Sequence, residues 1–353
     1  MTKRTHPSAG LAFPKPAIIK FRDAMTYDQR TVDSTGAFLI GELERLDQTL
    51  HEPLVDVSWN RDIDLRSDVT IGDEASSFTN STFAAAGGLG GPNGVAGGKA
   101  WISKDANQIT GIALDISKTV TPMNLWGMEV KYTLPELESA MKLGRSVDSQ
   151  KYEGMQLKWN MDVDEQVYIG DSTAGFVGLL NSTAVTPTNV ANGASGSPLW
   201  TNKTPDEILA DVNEILSTTW ANSGWALIPT ELRLPPIDYG YIVSQKISDA
   251  GNSSILKFLM ENNLTNQNGR KLNIQPLKWL IGSGASGTLG TSNGNDRMIA
   301  YTKDAKRVRF PLTMLQRTPL EYRSLFQITT YYCRLGGVEF PYPETVSYRD
   351  GLS

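Results

Sequence analysis

Seven glycines in twelve residues, GGLGGPNGVAGG at 87–98, constrain this chain more than any other stretch. Glycine loses more backbone freedom on ordering than any other residue. Apart from Leu89 and Val95 the segment has almost no large apolar side chain, so it adds little to a core. The runs on either side read differently. Upstream, IDLRSDVTIG alternates through Ile63, Leu65, Val69 and Ile71; downstream, KAWISKDANQITGIALDI is again strand-like and carries Trp101 just after the glycines. Two extended runs around a glycine-rich middle describe a long β-hairpin or projecting loop. A flexible linker is the plainer reading of such composition. The strand-like flanks and Trp101 favour the loop. A loop with so little apolar content is not expected to carry the fold.

The rest of the 353 residues allow two or three domains, at about 100–200 residues each. With 40% hydrophobic and 20% charged residues a packed core is expected and wholesale disorder is not. The net charge of −5 argues against a sequence-reading nucleic-acid binder, which needs a basic face. One cysteine, Cys333, excludes an internal disulfide framework and a multi-cysteine zinc site. Two histidines, His6 and His51, leave little for histidine-based catalysis or metal binding. The first residues are interrupted by Pro7, Pro14 and Pro16, so no secretion signal is expected. No stretch approaches the roughly 20 apolar residues that span a bilayer.

Helical periodicity appears in several places. Phe38, Leu39, Glu42, Leu43, Leu46 and Leu50 predict a short amphipathic helix that Pro53 stops, after a proline-punctuated arm. LPELESAMKLG at 134–144 predicts a second. A longer helix follows, with Tyr152, Met155, Trp159, Val163 and Val167 forming one apolar stripe over about six turns. Thr204-Pro205-Asp206-Glu207 combines a capping threonine, proline at the first helical position and a capping-box glutamate. WALIPTELRL predicts a strand before a Pro-Pro turn, SILKFLMEN at 254–262 a helix, and PLKWLIG at 276–282 a short buried strand. The C-terminal run predicts a hairpin around Gly336-Gly337. Helices and strands mix without a βαβ rhythm, so the expected class is α+β.

The sequences that resemble chemical motifs are incomplete. Gly282, Gly284 and Gly287 match GxGxxG, but turn formers follow where a dinucleotide site needs a helix, so a mobile loop is expected. Gly94–Lys99 resembles the end of a phosphate-binding loop, but Asn93 stands for a required glycine and Ala100 for the Mg²⁺-binding hydroxyl. Asp162, Asp164 and Glu165 read as a solvated helix face. Ser254 and Lys257 have SxxK spacing without its companion motifs, and read as a helix start. Cys333, in an alternating strand, reads as a small buried hydrophobe. The expected catalytic, cofactor and metal residues are therefore none.

Four stretches, in order, resemble the major capsid proteins of tailed double-stranded-DNA phages, with the Hong Kong 97-like fold that encapsulin shells share. They are FLIGELERLDQTLHEPL at 38–54, the run from Leu134 to Asn181, WALIPTELRLPPI from Trp225, and RLGGVEFPYPETVSYRDGL at 334–352. The second resembles a long spine helix leading through Ile169-Gly170-Asp171 into the turn Gly175–Asn181. The glycine-rich insert at 87–98 is longer than the family pattern.

The resemblance implies an N-terminal arm at 1–55, an extended loop at 56–118, a peripheral domain of 119–181 and 326–353 holding the spine helix, and an axial domain at 182–325. It implies a virion protein, assembled in the host cytoplasm, that forms hexamers and pentamers closing into an icosahedral shell around DNA. Contact with the DNA would carry no sequence preference. The implied partners are further copies of the chain, a portal, and scaffolding or decoration proteins; no membrane is involved. An encapsulin-type compartment is the alternative within the fold. A nucleotide-dependent enzyme resting on 282–287 and a secreted adhesin are the alternatives outside it.

Overall fold

In the computed structural model the described residues are 55–85, 104, 112–143, 147–248, 253–285, 287–291 and 295–352. All of them fall in the unit Glu52–Ser353. The helix expected at 38–50 and the glycine-rich segment 87–98 lie outside the described residues.

A single turn of helix, α1 (Trp59–Asp62), leads through β1 (Asp64–Arg66) into two long strands, β2 (Ala75–Ala85) and β3 (Ile112–Thr133). Helices α2 (Leu134–Leu143) and α3 (Val147–Tyr168) follow, then β4 (Thr188–Asn189) and α4 (Pro205–Asn222). Next come β5 (Glu231–Leu234), α5 (Pro236–Ser244), α6 (Ile255–Asn262), α7 (Leu264–Gln267) and β6 (Asn273–Pro276). The chain ends with β7 (Arg297–Tyr301), β8 (Arg309–Pro311), β9 (Gln316–Arg317), β10 (Glu321–Arg323), β11 (Phe326–Gly336) and β12 (Val346–Asp350). The class is α+β, as the unpatterned mixture of periods implies.

One five-stranded sheet has the order β4-β12-β7-β5-β6. All five residues of β7 are buried. Alternate side chains of a strand point to opposite faces, and here both faces are covered. Ile299 and Tyr301 enter a core with Val163, Val167, Tyr168, Leu179 and Phe310. Met298 and Ala300 enter a second core with Ile208, Val212, Ile215 and Leu259. The second core is supplied by α4 and α6, whose starts are built as expected. The Thr204 side chain accepts from Glu207 N and the Glu207 side chain accepts from Thr204 N, with Pro205 at the first helical position. Ser254 Oγ accepts from Lys257 N, so the SxxK spacing is a helix cap.

A second sheet runs β10-β11-β3-β2, with β9 also on β11. β2 and β3 form the expected long hairpin, in register from Ala75↔Pro122 to Ala85↔Ile112. Beyond that point β3 continues against β11, from Gly336↔Met123 to Phe326↔Thr133.

Four expectations give way. The alternation through Ile63–Ile71 yields only the three residues of β1, which pair in parallel with β8 instead of joining the hairpin. PLKWLIG is not a strand: β6 ends at Pro276 and a 3-10 turn covers Lys278–Leu280. The Pro-Pro pair after β5 is the start of α5, because Pro236 takes the first helical position, where its missing N–H is no loss. The C-terminal hairpin is absent. β11 pairs with β3, whereas β12 crosses to the other sheet beside β7.

Candidate assembly surface

The upper part of the hairpin places large apolar residues where no part of the described chain covers them. Leu114, Ile116 and Val120 are 54%, 61% and 55% exposed. Their shared parity along β3 puts them on one face. Ile116 stands opposite Ser81 and Val120 opposite Ser77, so at these two positions the partner strand offers hydroxyls. Burying one such side chain is worth about 1.5–3 kcal/mol. Rather more than half of that gain is left unused within the described chain. The eleven pairs extend about 34 Å at about 3.4 Å per residue.

A second apolar feature is a cleft of about 670 Å³ lined by Trp59, Tyr152, Trp159, Leu312, Met314 and Tyr331. Met314 on its rim is 87% exposed. The cleft explains why the spine-helix stripe is only partly buried. Met155, Val163 and Val167 are buried, Trp159 is half-buried, and Tyr152 is 37% exposed. Trp159 meets Trp59 edge-to-face at 6.2 Å and donates from Nε1 to Cys333 Sγ at 3.2 Å. Burial pushes the Cys333 thiol up, and the Trp159 bond draws it partly back. Cys333 is thus a buried strand residue, as read from the alternation.

Where the first described residues meet the spine helix, the sequence misled. Asp164 is 1% exposed and does not belong to a solvated face. Its Oδ1 accepts from Ser58 N at 2.9 Å and Trp59 N at 3.0 Å, satisfying N–H groups that open α1. Its Oδ2 accepts from Trp279 Nε1 at 2.6 Å. Asp162 accepts from Trp126 Nε1 at 3.0 Å, and Glu165 alone of the three is exposed.

Beside it, Asp62 is fully buried and accepts from Arg233 Nε at 2.8 Å, Arg61 Nε at 2.7 Å and Tyr168 OH at 2.5 Å. Arg233 also reaches Glu231 Oε2 at 2.6 Å and Asn273 O at 3.0 Å. Tyr301 OH donates to Asp62 O at 2.7 Å. Burial pushes the Asp62 carboxyl up, but Arg61, Arg233 and Tyr168 outweigh it and hold it below the usual aspartate value. Burial and the neighbouring Asp62 charge push the Tyr168 phenol well above its ordinary value. A charged group buried this deeply is tolerable only when paired and hydrogen-bonded. The network joins 58–62, the spine helix and the central sheet, and no motif in the sequence announces it.

The glycines at 282–287 do not make a nucleotide site. Gly282 has φ +65°, and a β-bridge between Thr288 and Thr291 follows where a helix would be needed. The described residues of this turn are held by backbone hydrogen bonds to two aspartates. Gly282 N donates to Asp296 Oδ1 at 2.8 Å and Ala285 N to Asp350 Oδ2 at 2.9 Å. Asp350 in turn pairs with Arg297 at 2.6 Å. Gly94–Lys99 lies outside the described residues. Among the described residues no group of three or more His, Cys, Asp or Glu is placed to hold a metal ion. Among them, no helix is long and apolar enough to cross a membrane.

Among the described residues, exposed apolar side chains on the hairpin beside buried cores on both faces of the central sheet fit a protein completed by association. Residues 97–352 match the major capsid protein family, and the chain belongs to that family. It is a capsid shell subunit of the virion, with a structural role and homo-oligomeric assembly into capsomers. The family match favours the phage-head reading over the encapsulin-type compartment.

Solved structures share the fold. The capsid of Myoviridae phage XM1 aligns with TM-score 0.67 at 17% identity, covering 88% of this chain and 98% of that one. Gordonia phage Cozz aligns with TM-score 0.56 at 12% identity, covering 96% and 98%. The capsid of the native GTA particle aligns with TM-score 0.56 at 12% identity, covering 92% and 99%. No curated protein sequence is matched.

Proposed function

We propose that the chain forms hexamers and pentamers that close an icosahedral head around packaged double-stranded DNA, and that it catalyses no reaction. The observation that carries this reading is the exposed face of Leu114, Ile116 and Val120, which a neighbouring copy would cover. The four parts are the arm at 1–55, the extended loop at 56–118, the peripheral domain of 119–181 and 326–353, and the axial domain at 182–325. The loop and the peripheral part share strand β3, which runs through residue 118 without a break. The peripheral and axial parts share a sheet through β12 and β7.

Assembly takes place in the host cytoplasm. A portal, and scaffolding or decoration proteins, are the further partners. An acidic chain suits a DNA container, because a strongly positive inner wall would hold the genome during packing. Electron microscopy and particle sizing of the purified full chain test the reading. Capsomers or closed shells are expected. A chain that stays monomeric at high concentration, with a scaffold partner present, overturns it.

A further inference from the structure

Strand β3 changes partners at one point, from β2 below Pro122 to β11 above Met123. Close beside that point lies a carboxylate that neither core uses. Glu339 is 1% exposed and stands between the hairpin and the rest of the subunit. On the body side, its Oε2 accepts from Arg309 Nε at 2.6 Å, and its backbone exchanges two hydrogen bonds with Arg309. On the hairpin side, it accepts from Ser76 Oγ on β2; from β1, the strand beside β8, it accepts from Arg66 Nη1 at 3.2 Å. Arg66 Nη1 also donates to Ser76 Oγ at 2.8 Å and to Ser77 O at 2.9 Å. Packing at the junction is close. A Cβ on Gly336, opposite Met123, would stand 2.6 Å from the Pro311 ring.

Two arginines and a serine around one buried carboxylate satisfy it from several directions. A buried charge holds its partners strictly, because each lost bond leaves a group unpaired in a poorly solvated place. Those partners lie on strands that do not pair with each other, Ser76 on β2 and Arg309 on β8. Ser76 and Ser77 are the root of the hairpin, whereas Arg309 opens β8.

We propose that Glu339 is a positioning residue that sets the direction in which the hairpin leaves the subunit, and thereby the curvature at which neighbours meet. The proposal rests on the assembly reading above. Glu339 touches no neighbour in this role; it acts through Ser76 and Arg66.

The test uses the full chain with Ser76→Ala, which removes the direct bond to the hairpin and leaves the Arg66–Ser77 bond in place, and Glu339→Gln, which keeps the shape and removes the charge. Hydrogen exchange on unassembled protein is compared with particle diameter by electron microscopy. In Ser76→Ala, exchange at 77–81 and 116–121 should quicken about tenfold, on the scale of one hydrogen bond to a charged group. Exchange at 297–301 and 346–350 should stay unchanged, and particles should spread in diameter. Glu339→Gln should shift both readouts further the same way; if it does not fold, Ser76→Ala decides alone. Unchanged hairpin exchange, equal acceleration in both sheets, or a wild-type particle diameter overturns the proposal. Should the wild-type chain form no particles, the assembly reading fails, while the exchange comparison still judges Glu339.

Discussion

Strand β7 and the upper part of β3 follow the same two-residue alternation to opposite ends. In β7 every side chain is buried, because one core covers each face. In β3 the residues Leu114, Ile116 and Val120 stand more than half exposed on a strand pair with no described layer over them. The first region is finished within one chain. The second carries three large apolar residues on a face that also holds Lys118, and it has the surroundings of a surface. Exposed apolar patches of this kind mark interaction sites. Substitutions should therefore separate the two regions: those near β7 act on folding, those on β3 act on association.

The largest effect on folding should come from Asp62, whose carboxylate satisfies Arg233 beneath the β7 sheet. Asp62→Ala leaves the Arg233 guanidinium, itself fully buried, without its central partner. Breaking a buried pair costs about 3–5 kcal/mol, and urea unfolding at pH 7 should show a loss of that size. The lowered Asp62 pKa adds a pH signature. A carboxyl depressed in the folded state stabilises the fold above its unfolded value, and loses that contribution as pH falls through the folded one. Asp62→Asn should accordingly flatten the acid limb below about pH 4. An acid limb as steep as that of the wild type would place the linkage on another group.

Next in size is Trp159→Ala. Full burial of a tryptophan would make the cost about 3–5 kcal/mol. Trp159 is only half-buried against the cleft, so roughly 2–3 kcal/mol is expected. A thermal midpoint that does not move would show that the contacts with Trp59 and Cys333 add nothing. Smaller again is Thr204→Ala, which removes one side of the capping box at the start of α4. About 1 kcal/mol is expected, measured in the same way. A change below experimental error would mean that Glu207, which also holds Ala194 N at 2.7 Å, caps the helix without it.

These sites differ in how far the sequence disclosed them. Thr204 was legible because a cap is a local pattern of four residues. A hairpin here was legible from the extended runs around the glycines, but not its upstream strand, which is the Ser/Thr/Ala run at 75–85 and not the alternation at 63–71; the SxxK spacing resolved to a cap because a cap is local. Asp62 and Asp164 were not legible. Their partners lie far along the chain, at Arg233 and Trp279, and an aspartate on a helix looks solvated until the fold brings those partners to it. The C-terminal strands were misread because Gly336-Gly337 has the composition of a turn. In the fold it serves close approach, with Gly336 against Pro311 and Gly337 against Val177, while the chain crosses between sheets. Which sheet a strand joins is a tertiary matter that local pattern does not carry.

The smallest effect on folding should come from the region with the largest effect on assembly. Replacing Leu114, Ile116 and Val120 together by threonine keeps strand propensity, because threonine is β-branched. It also removes side chains that are more than half exposed, so no enclosed cavity forms. Stability of the unassembled chain should change by less than about 0.5 kcal/mol, the usual range for surface substitutions. Association is another matter. If a neighbour buries what is exposed of these side chains, each contributes about half of the 1.5–3 kcal/mol of full burial at every contact, and the loss recurs around each capsomer. Particle yield should then collapse while the urea midpoint stays in place. A fall in both together would mean that the face packs within its own subunit, and a fall in neither would mean that it faces solvent in the shell. Either result would remove the contrast between β7 and β3, since the exposure of β3 would no longer be what association uses.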